Sequence, residues 1–301
     1  RDEGGPFRDL FDFCRRLDKR VVNRRVVEAL IRAGAFDSID PHRAKLLASV
    51  GIALEAAEQA ERNALQTGLF DMGGVQQSAE VHYVDVPEWS ERERLLNEKQ
   101  AIGFYLSGHL FNAYKAELST FVKRSLAQME PQRDSLLMAG IVVSSRTQMT
   151  RRGKMAIVVL DDGTTQIEVT VFNELWDAER AKLKDDELLL VEGKVQNDSF
   201  TGGLRVTAER LFTIGEARGR FAKSLRLSMN GGTKREPAAE RLRVLLAPYR
   251  NGPCPVRLAY RNGSAETELS LPDSWRVRLD DALISSLNEW LSADNVKVVY
   301  S

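Results

Sequence analysis

Few residues of this chain have the types and spacing that catalysis requires. The three histidines, His42, His82 and His109, stand in different segments, without a nucleophile or paired acids at motif spacing. The adjacent carboxylates Asp161 and Asp162 are of the type that binds Mg²⁺, but they fall at an expected strand turn, where Asp is favoured for turn geometry. The sequence has no glycine-rich phosphate loop of the Walker type. We therefore expect no catalytic residue, no metal site and no cofactor in this chain.

A basic loop is the first candidate for a binding site. It holds four cations within nine residues, around Gly153: Arg146, Arg151, Arg152 and Lys154. In proteins that bind single strands, cations follow the phosphate backbone while aromatic rings stack on the bases. The loop therefore predicts a contact with single-stranded DNA, with Phe172 and Phe200 as candidate stacking rings. The alternatives are a solvated hairpin tip and two rings packed in the core.

A short peptide at the start of a glycine-rich stretch is the second candidate. Gln66 is followed three and four residues later by Leu69 and Phe70. One amide and two adjacent apolar anchors suit an extended peptide that inserts into a hydrophobic cleft of another protein. The spacing alone leaves open that Leu69 and Phe70 fold back onto the preceding helix.

A cluster of arginines and lysine marks the junction between the first two predicted helices. Its members are Arg15, Arg16, Lys19, Arg20, Arg24 and Arg25. Cations and amides at such a junction are able to hold a duplex backbone without reading its sequence. The cluster therefore predicts a contact with duplex DNA, assigned to Arg24 and Arg25. The alternative is that these are ordinary surface arginines, which are common on helices.

The amino-acid composition limits which classes of protein this chain could belong to. Lys+Arg and Asp+Glu are equal at 43 each, so any binding of nucleic acid must come from local patches. Cys14 and Cys254 have no Cys or His at metal-ligand spacing, which indicates a reducing cytoplasm and structural thiols. No apolar stretch is long enough to cross a bilayer. The chain begins without methionine, which we interpret as a segment of a longer protein.

Hydrophobic periodicity predicts a multidomain α+β protein. Residues 1–65 show helical spacing, 66–88 lose it as a connector would, and helical spacing returns in 89–130. In 131–215 the period becomes 2 and predicts five strands, the last of them at 204–212. A helix is predicted at 173–183, after the third strand, which is the order of an OB-fold barrel. Residues 216–301 predict a small α+β domain, and residues 215–223 read as a connector.

Several strings together resemble a known family. They are Phe-Arg-Asp-Leu-Phe-Asp-Phe-Cys from Phe7, Val-Asn-Arg-Arg-Val-Val-Glu-Ala-Leu-Ile-Arg-Ala-Gly-Ala-Phe-Asp ending at Asp37, Pro41-His42-Arg43-Ala44, the Gln-x-x-Leu-Phe peptide, Glu-Lys-Gln-Ala-Ile-Gly-Phe-Tyr-Leu-Ser-Gly-His-Leu from Glu98, Leu-Asp-Asp-Gly-Thr-Thr-Gln-Ile-Glu-Val from Leu160, Trp275-Arg276-Val277 and Trp290. They are similar to the C-terminal region of the bacterial DNA polymerase III α subunits, the C-family replicative polymerases. The resemblance covers essentially the whole chain.

The resemblance implies roles for the candidate residues. Gln66, Leu69 and Phe70 would dock on the sliding clamp (β), Arg146, Arg151 and Arg152 would contact single-stranded template, and residues 216–301 would bind the τ subunit of the clamp loader. The protein would act in the cytoplasm of a bacterium, at the replisome and on primer-template DNA, without a membrane partner.

Departures from the family pattern limit these expectations. The polymerase domain with its Mg²⁺-binding aspartates would precede residue 1, so nucleotidyl transfer by the DNA-directed DNA polymerase would belong to the parent protein. The helix-hairpin-helix region would be truncated in its first hairpin, because the Gly-x-Gly turn is missing. The alternative is a free-standing OB-fold accessory protein that binds single-stranded DNA.

Overall fold

The chain forms two compact units. The computed structural model describes residues 5–18, 22–67, 82–150, 153–198, 202–230, 238–262 and 265–300. The units are Arg1–Leu110 and Phe111–Ser301. Among the residues described, no helix is both long and apolar enough to span a membrane. The finer division into five segments stays a prediction.

The first unit is helical, as its periodicity predicts. Its helices are α1 (Leu10–Arg16), α2 (Arg24–Arg32), α3 (Arg43–Thr67) and α4 (Glu91–Ile102). Side-chain oxygens of Asp9, Asn23 and Ser90 accept hydrogen bonds from backbone amides at the starts of α1, α2 and α4, which supplies partners for donors that a helix start leaves free. The apolar stripes meet in one core built from Leu10, Phe11, Val27, Ile31, Leu46 and Val50.

A buried network of ion pairs and hydrogen bonds connects the start of α3 with α4 and the segment that follows α4. Arg43 donates to Asp37 at 2.5 Å and to Glu98 at 2.8 Å, and the other oxygen of Glu98 accepts from the amides of Leu106 and Ser107 at 2.7 and 2.8 Å. The Glu98 residue is 0% exposed. Burial favours its protonated form, but the hydrogen bonds from Ser107, Arg43 and Leu106 outweigh burial and hold the pKa of Glu98 below its usual value.

Gly34 makes room for this network. It has φ +81°, the left-handed conformation that favours glycine, and a Cβ built there would lie 2.3 Å from the Nη2 atom of Arg43. Gly34 directly follows Ala33, the C-cap residue of α2, so its left-handed backbone also lets the chain leave the helix.

The second unit contains the predicted barrel. After α5 (Asn112–Leu118) come β1 (Leu136–Thr150), β2 (Gly153–Asp161), β3 (Gln166–Val171), α6 (Asn173–Glu179), β4 (Leu188–Asn197) and β5 (Leu204–Phe212). The strands close in the order β1-β2-β3-β5-β4. The β3–β5 seam is a short parallel pairing, Val169 with Val206 and Thr170 with Thr207. Five strands with a helix after the third confirm the OB-fold prediction.

The adjacent acids of the barrel act in a turn. Asp161 Oδ1 accepts from the amide of Gly163 at 2.7 Å. Asp162 accepts from the amide of Thr164 at 2.9 Å and, through its other oxygen, from the amide of Leu126 at 2.8 Å. These contacts support the interpretation as turn residues, and within the described ranges no group of three His, Cys, Asp or Glu is arranged to hold a metal ion.

The rest of this unit is a helix-covered sheet. Its elements are α7 (Ile214–Phe221), β6 (Ala222–Asn230), α8 (Ala238–Leu246), β7 (Arg250–Cys254), β8 (Val256–Asn262), β9 (Ala265–Ser270), α9 (Asp281–Leu291) and β10 (Val296–Tyr300). Four strands pair in the order β10-β6-β8-β9. Leu225, Leu227 and Val256 face a core that α8 and α9 complete with Leu242, Leu246, Leu283 and Leu287.

The prediction of a connector at residues 215–223 is wrong, because α7 occupies most of it. A capping box starts this helix: Thr213 accepts from the amide of Glu216, and the carboxylate of Glu216 accepts from the amide of Thr213. Ile214, Ala217 and Arg218 are buried. Burial against distant parts of the unit therefore stabilises a helix whose glycines argue against it in the sequence.

Arg218, which is itself buried, is the centre of a second network of ion pairs and hydrogen bonds. Its guanidinium donates to both oxygens of Glu117 at 2.7 and 2.8 Å, to Asp281 at 2.6 Å and to the carbonyl of Leu279 at 3.2 Å. The hydroxyl of Tyr300 also donates to Glu117. Burial favours protonation of Glu117, but the bonds from Arg218 and Tyr300 and the Arg218 charge hold its pKa below its usual value. The network joins α5, α7, α9 and β10.

Candidate nucleic-acid interface

The outer surface of the barrel carries the candidate site. Side chains alternate between the two faces of a strand, so register identifies which residues share the outside. Arg146 pairs with Ile157, Ile157 with Thr170, Thr170 with Thr207, and Thr207 with Lys194. These five residues form one row around the outside of the barrel, and we call it the barrel row.

Arg146 lies at one end of this row and is accessible. Its Nη2 atom donates to Glu168 Oε1 at 2.9 Å, and the two side chains are 66% and 58% exposed. A pair this open is worth little to stability, so Arg146 is available to exchange Glu168 for a phosphate. Arg205 is exposed on β5 and directly precedes Val206. Val206 pairs with Val169 on β3, and Glu168 directly precedes Val169, so Arg205 lies beside Glu168. The register thus adds Arg205 to the site, a cation that sequence reasoning missed.

Lys154 does not share the face of Arg146. It pairs with Met149, three residues beyond Arg146 on β1, so the two cations point to opposite sides of the hairpin. The Lys154 ammonium stands 4.2 Å from the centre of the Trp176 ring, a cation–π contact that occupies it within the fold. Of the predicted loop cations, Arg151 and Arg152 lie outside the described residues.

Phe172 is placed where a stacking ring would be useful. It follows β3 directly with an extended backbone, on the side of Thr170, and is 40% exposed. An exposed ring beside phosphate-binding cations is the arrangement used for single strands. Phe200, the other candidate, lies outside the described residues.

The helical unit places the weaker duplex candidates at the start of α2. Arg24 donates to Glu28 at 2.8 Å in an exposed pair, and Arg25 is exposed. Asn23 caps the helix and accepts from the amide of Val26. The Arg16 side chain makes its contacts within the helical unit. Its guanidinium lies 4.6 Å from the centre of the Phe7 ring and donates a hydrogen bond to Asp12.

The predicted clamp peptide can be located only in part. Gln66 is in the last turn of α3, which ends at Thr67. The side chain of Gln66, and Leu69 and Phe70 as a whole, lie outside what the structure describes.

Both thiols are buried within the fold. Cys14 and Cys254 are free, and burial raises the pKa of each to about 11. A thiol with a pKa this high is almost wholly protonated near pH 7 and is a poor nucleophile. This agrees with the interpretation of the cysteines as structural.

Three family models match separate parts of the chain. Residues 1–46 match a helix-hairpin-helix motif, and residues 137–214 match an OB-fold nucleic acid binding domain. Residues 241–291 match the C-terminal domain of DNA polymerase III subunit alpha. Their order along the chain is the order of the helical unit, the barrel and the terminal sheet.

Curated relatives match over the full length of this chain. DNA polymerase III subunit alpha of Vibrio cholerae is 38% identical over 308 residues, covering 100% of this chain and 26% of that protein. The Neisseria meningitidis subunit of serogroup A is 41% identical over 303 residues, covering 99% and 26%. The Escherichia coli K12 subunit is 37% identical over 308 residues, covering 100% and 26%. This chain therefore spans about a quarter of each relative.

Solved structures resemble a smaller part. The second OB-fold domain of replication protein A from Methanococcus maripaludis covers 30% of this chain and 93% of that domain, at 23% identity and a TM-score of 0.25. A TM-score this low supports no conclusion about function.

Proposed function

This chain belongs to the DNA polymerase III subunit alpha family, and from that membership we propose that it is the accessory, DNA- and partner-binding part of a replicative DNA polymerase. Nucleotidyl transfer would be performed by the part of the protein that this chain does not cover. The chain itself would hold single-stranded template and connect the polymerase to the sliding clamp and the clamp loader. The observation that carries the proposal is the exposed cationic face of a closed OB barrel.

The barrel suits a single strand because its charged and aromatic groups share one outer surface. Arg146 and Lys194 stand at the ends of the barrel row, Arg205 lies beside Glu168, and Phe172 follows β3 on the same face. Cations would follow the phosphates, and the ring would stack on a base without selecting its identity. A strand would have to displace Glu168 from Arg146 and Glu209 from Lys194, exchanges that these open ion pairs permit at little cost.

Replacing Arg146, Arg151 and Arg152 with glutamine tests this contact. Each phosphate contact contributes about 0.7 to the slope of the logarithm of the single-strand binding constant against the logarithm of salt concentration. Losing three contacts should therefore make this slope about 2 less steep. The measurement is fluorescence anisotropy of a labelled oligonucleotide between 50 and about 200 mM salt. A matched control replaces three exposed cations of the terminal domain: Arg241→Gln, Arg243→Gln and Arg278→Gln. An unchanged slope in the loop variant would contradict the basic-loop assignment.

The clamp contact is proposed for Gln66, Leu69 and Phe70. If Leu69 and Phe70 are hot-spot anchors, Leu69→Ala or Phe70→Ala should weaken binding to the cognate clamp by about 2 kcal/mol, or roughly thirtyfold. Surface plasmon resonance with immobilised clamp measures this change. DNA binding by the same variants should stay at the level of the wild type, which serves as the folding control. Clamp affinity that survives the double change would assign Leu69 and Phe70 to packing instead.

The terminal sheet and its helices, residues 216–301, are proposed to bind the τ subunit of the clamp loader. The support is the match of residues 241–291 to the C-terminal domain of DNA polymerase III subunit alpha. Titration of the chain with purified τ tests the assignment, and binding that persists after removal of these residues would place the contact elsewhere.

The second candidate function is a free-standing single-strand binder. The barrel alone supports it, since an OB fold with cations and an exposed ring needs no further domain to bind DNA. The two functions differ in clamp affinity: a free-standing binder would show none, and a polymerase segment would lose its affinity with the Leu69 and Phe70 changes.

A further inference from the structure

Three cations lie side by side on the face of the terminal sheet opposite its core. Strand pairing places Lys297 next to Arg226 and Arg226 next to Arg257, across β10, β6 and β8. Neighbouring residues Leu225 and Leu227 point to the opposite face and fill the helix-covered core. Paired strands are about 5 Å apart, so the three residues span about 10 Å. We call Lys297, Arg226 and Arg257 the cation row.

The row is accessible and only partly compensated. The side chains of Arg226 and Arg257 are 43% and 51% exposed, and Lys297 is exposed as well. Arg226 and Arg257 share one carboxylate, Glu268, at 3.7 and 3.3 Å. The Nε atom of Arg226 is buried without a hydrogen-bond partner among the described residues.

This arrangement is unfavourable for the free protein. Like charges directly opposite each other on paired strands are destabilising, and one shared carboxylate does not neutralise three cations. A ligand with closely spaced negative charges would remove the repulsion. We propose that the cation row binds the phosphate backbone of a nucleic acid, as a second contact besides the barrel.

The surroundings of the row favour nucleic acid over an acidic protein. On the same face its neighbours along the strands are small, Ser224, Ser228 and Ala259, with Val299 as the exception at the edge. A protein partner takes most of its binding energy from aromatic or large apolar anchors, whereas non-specific nucleic-acid binding is almost wholly electrostatic. Because none of these described neighbours carries a ring on which a base could stack, the row contacts phosphates and not bases. It should therefore bind single strands and duplex alike.

The test is a salt titration of the whole chain with Lys297→Gln, Arg226→Gln and Arg257→Gln combined. Loss of three phosphate contacts should make the slope of log binding constant against log salt concentration less steep by about 2 for a single strand and by about 3 for a duplex. The change for a single strand should be the same with oligo-dT and with oligo-dA, because the row does not contact bases. The Arg241, Arg243 and Arg278 variant is the matched control, because Arg241 and Arg243 lie on α8, which packs on the other side of the sheet, and Arg278 is an exposed residue outside the sheet. Circular dichroism melting should show that the row variant folds as stably as the wild type or more so, because repulsion is removed.

A salt-dependence slope in the row variant equal to that of the control would overturn the proposal. If the row variant then also loses binding of a poly-glutamate peptide, the row belongs to an acidic protein partner instead. The barrel variant, measured alongside, separates this inference from the proposed function: a changed slope in the row variant alone supports the row and contradicts the barrel contact.

Discussion

Replacing Arg218 with methionine is expected to lower the free energy of unfolding of the Phe111–Ser301 unit by about 3 kcal/mol, the lower end of the range for breaking a buried ion pair. The methionine keeps most of the side-chain volume but leaves the carboxylate of Glu117, whose side chain is only 23% exposed, without its cation. Removing one member of a buried ion pair strands the other charge in a poorly solvated site. Tyr300 alone, donating to one oxygen of Glu117, does not replace two guanidinium bonds.

The measurement is urea unfolding combined with hydrogen exchange resolved by peptide, which assigns the loss to this unit. Asp281→Asn is the matched control, because the side chain of Asp281 is 54% exposed and should cost no more than about 1 kcal/mol. The double variant Arg218→Met with Glu117→Gln should regain part of the loss, since it removes both charges. If Arg218→Met unfolds within about 1 kcal/mol of the control, the network is not a stabilising element.

Lowering the pH should reduce the difference in free energy of unfolding between the wild type and Arg218→Met. In the wild type the pKa of Glu117 is held below 4.5, so its contribution is present above pH 4.5 and is lost as pH falls through the lowered pKa. In the variant, burial without the cation raises the pKa of Glu117, and its penalty at neutral pH is relieved as the carboxyl takes up a proton. Unfolding measured from pH 7 to about 3 tests the sign of both effects.

Glu98→Ala is expected to destabilise the helical unit by about 3 kcal/mol, because it leaves buried donors without an acceptor. Alanine removes the acceptor of two backbone amides, Leu106 and Ser107, and one partner of Arg43. A buried donor left without an acceptor costs about 1–3 kcal/mol. Asp37 remains as a partner of Arg43, so the expected loss is smaller than for a fully stranded charge.

Glu98→Gln is the matched variant for this second prediction. Its amide oxygen keeps one acceptor, so we expect about half of the loss. Hydrogen exchange of residues 103–110 should rise strongly in the alanine variant and moderately in the glutamine variant. Equal protection of that segment in both variants and the wild type would show that Glu98 does not hold it. Because the pKa of Glu98 is lowered, its contribution should also fade as pH falls through that pKa.

Strand and helix positions could be predicted from the sequence wherever one face of an element is buried by its neighbours. Residues 204–212 show this, since alternation alone predicts β5 with the bounds Leu204–Phe212. Residues 214–221 show the opposite case. Their helix depends on a buried arginine whose partners, Glu117 and Asp281, are far away in the chain, and no local pattern reveals such partners.

The candidate site was predicted in part. Counting cations identified Arg146 but grouped it with Lys154, because a count along the chain ignores which face of a strand each residue occupies. Alternation along β5 was sufficient to place Arg205 outside the barrel next to buried Val206. Its approach to Glu168 depends on the parallel β3–β5 seam, a pairing between strands that are distant in sequence.

The last strand of the terminal sheet has a consequence for how the molecule folds. β10 pairs with β6, and Tyr300 reaches Glu117 across 183 positions of the chain. Contacts between distant residues form slowly, because the intervening loop must close first. During synthesis at roughly 5–20 residues per second, the barrel is complete before β10 leaves the ribosome. The nascent chain therefore passes through a stage with a finished barrel and a sheet that lacks its edge, in which the β6 edge is open to chaperones and to mispairing.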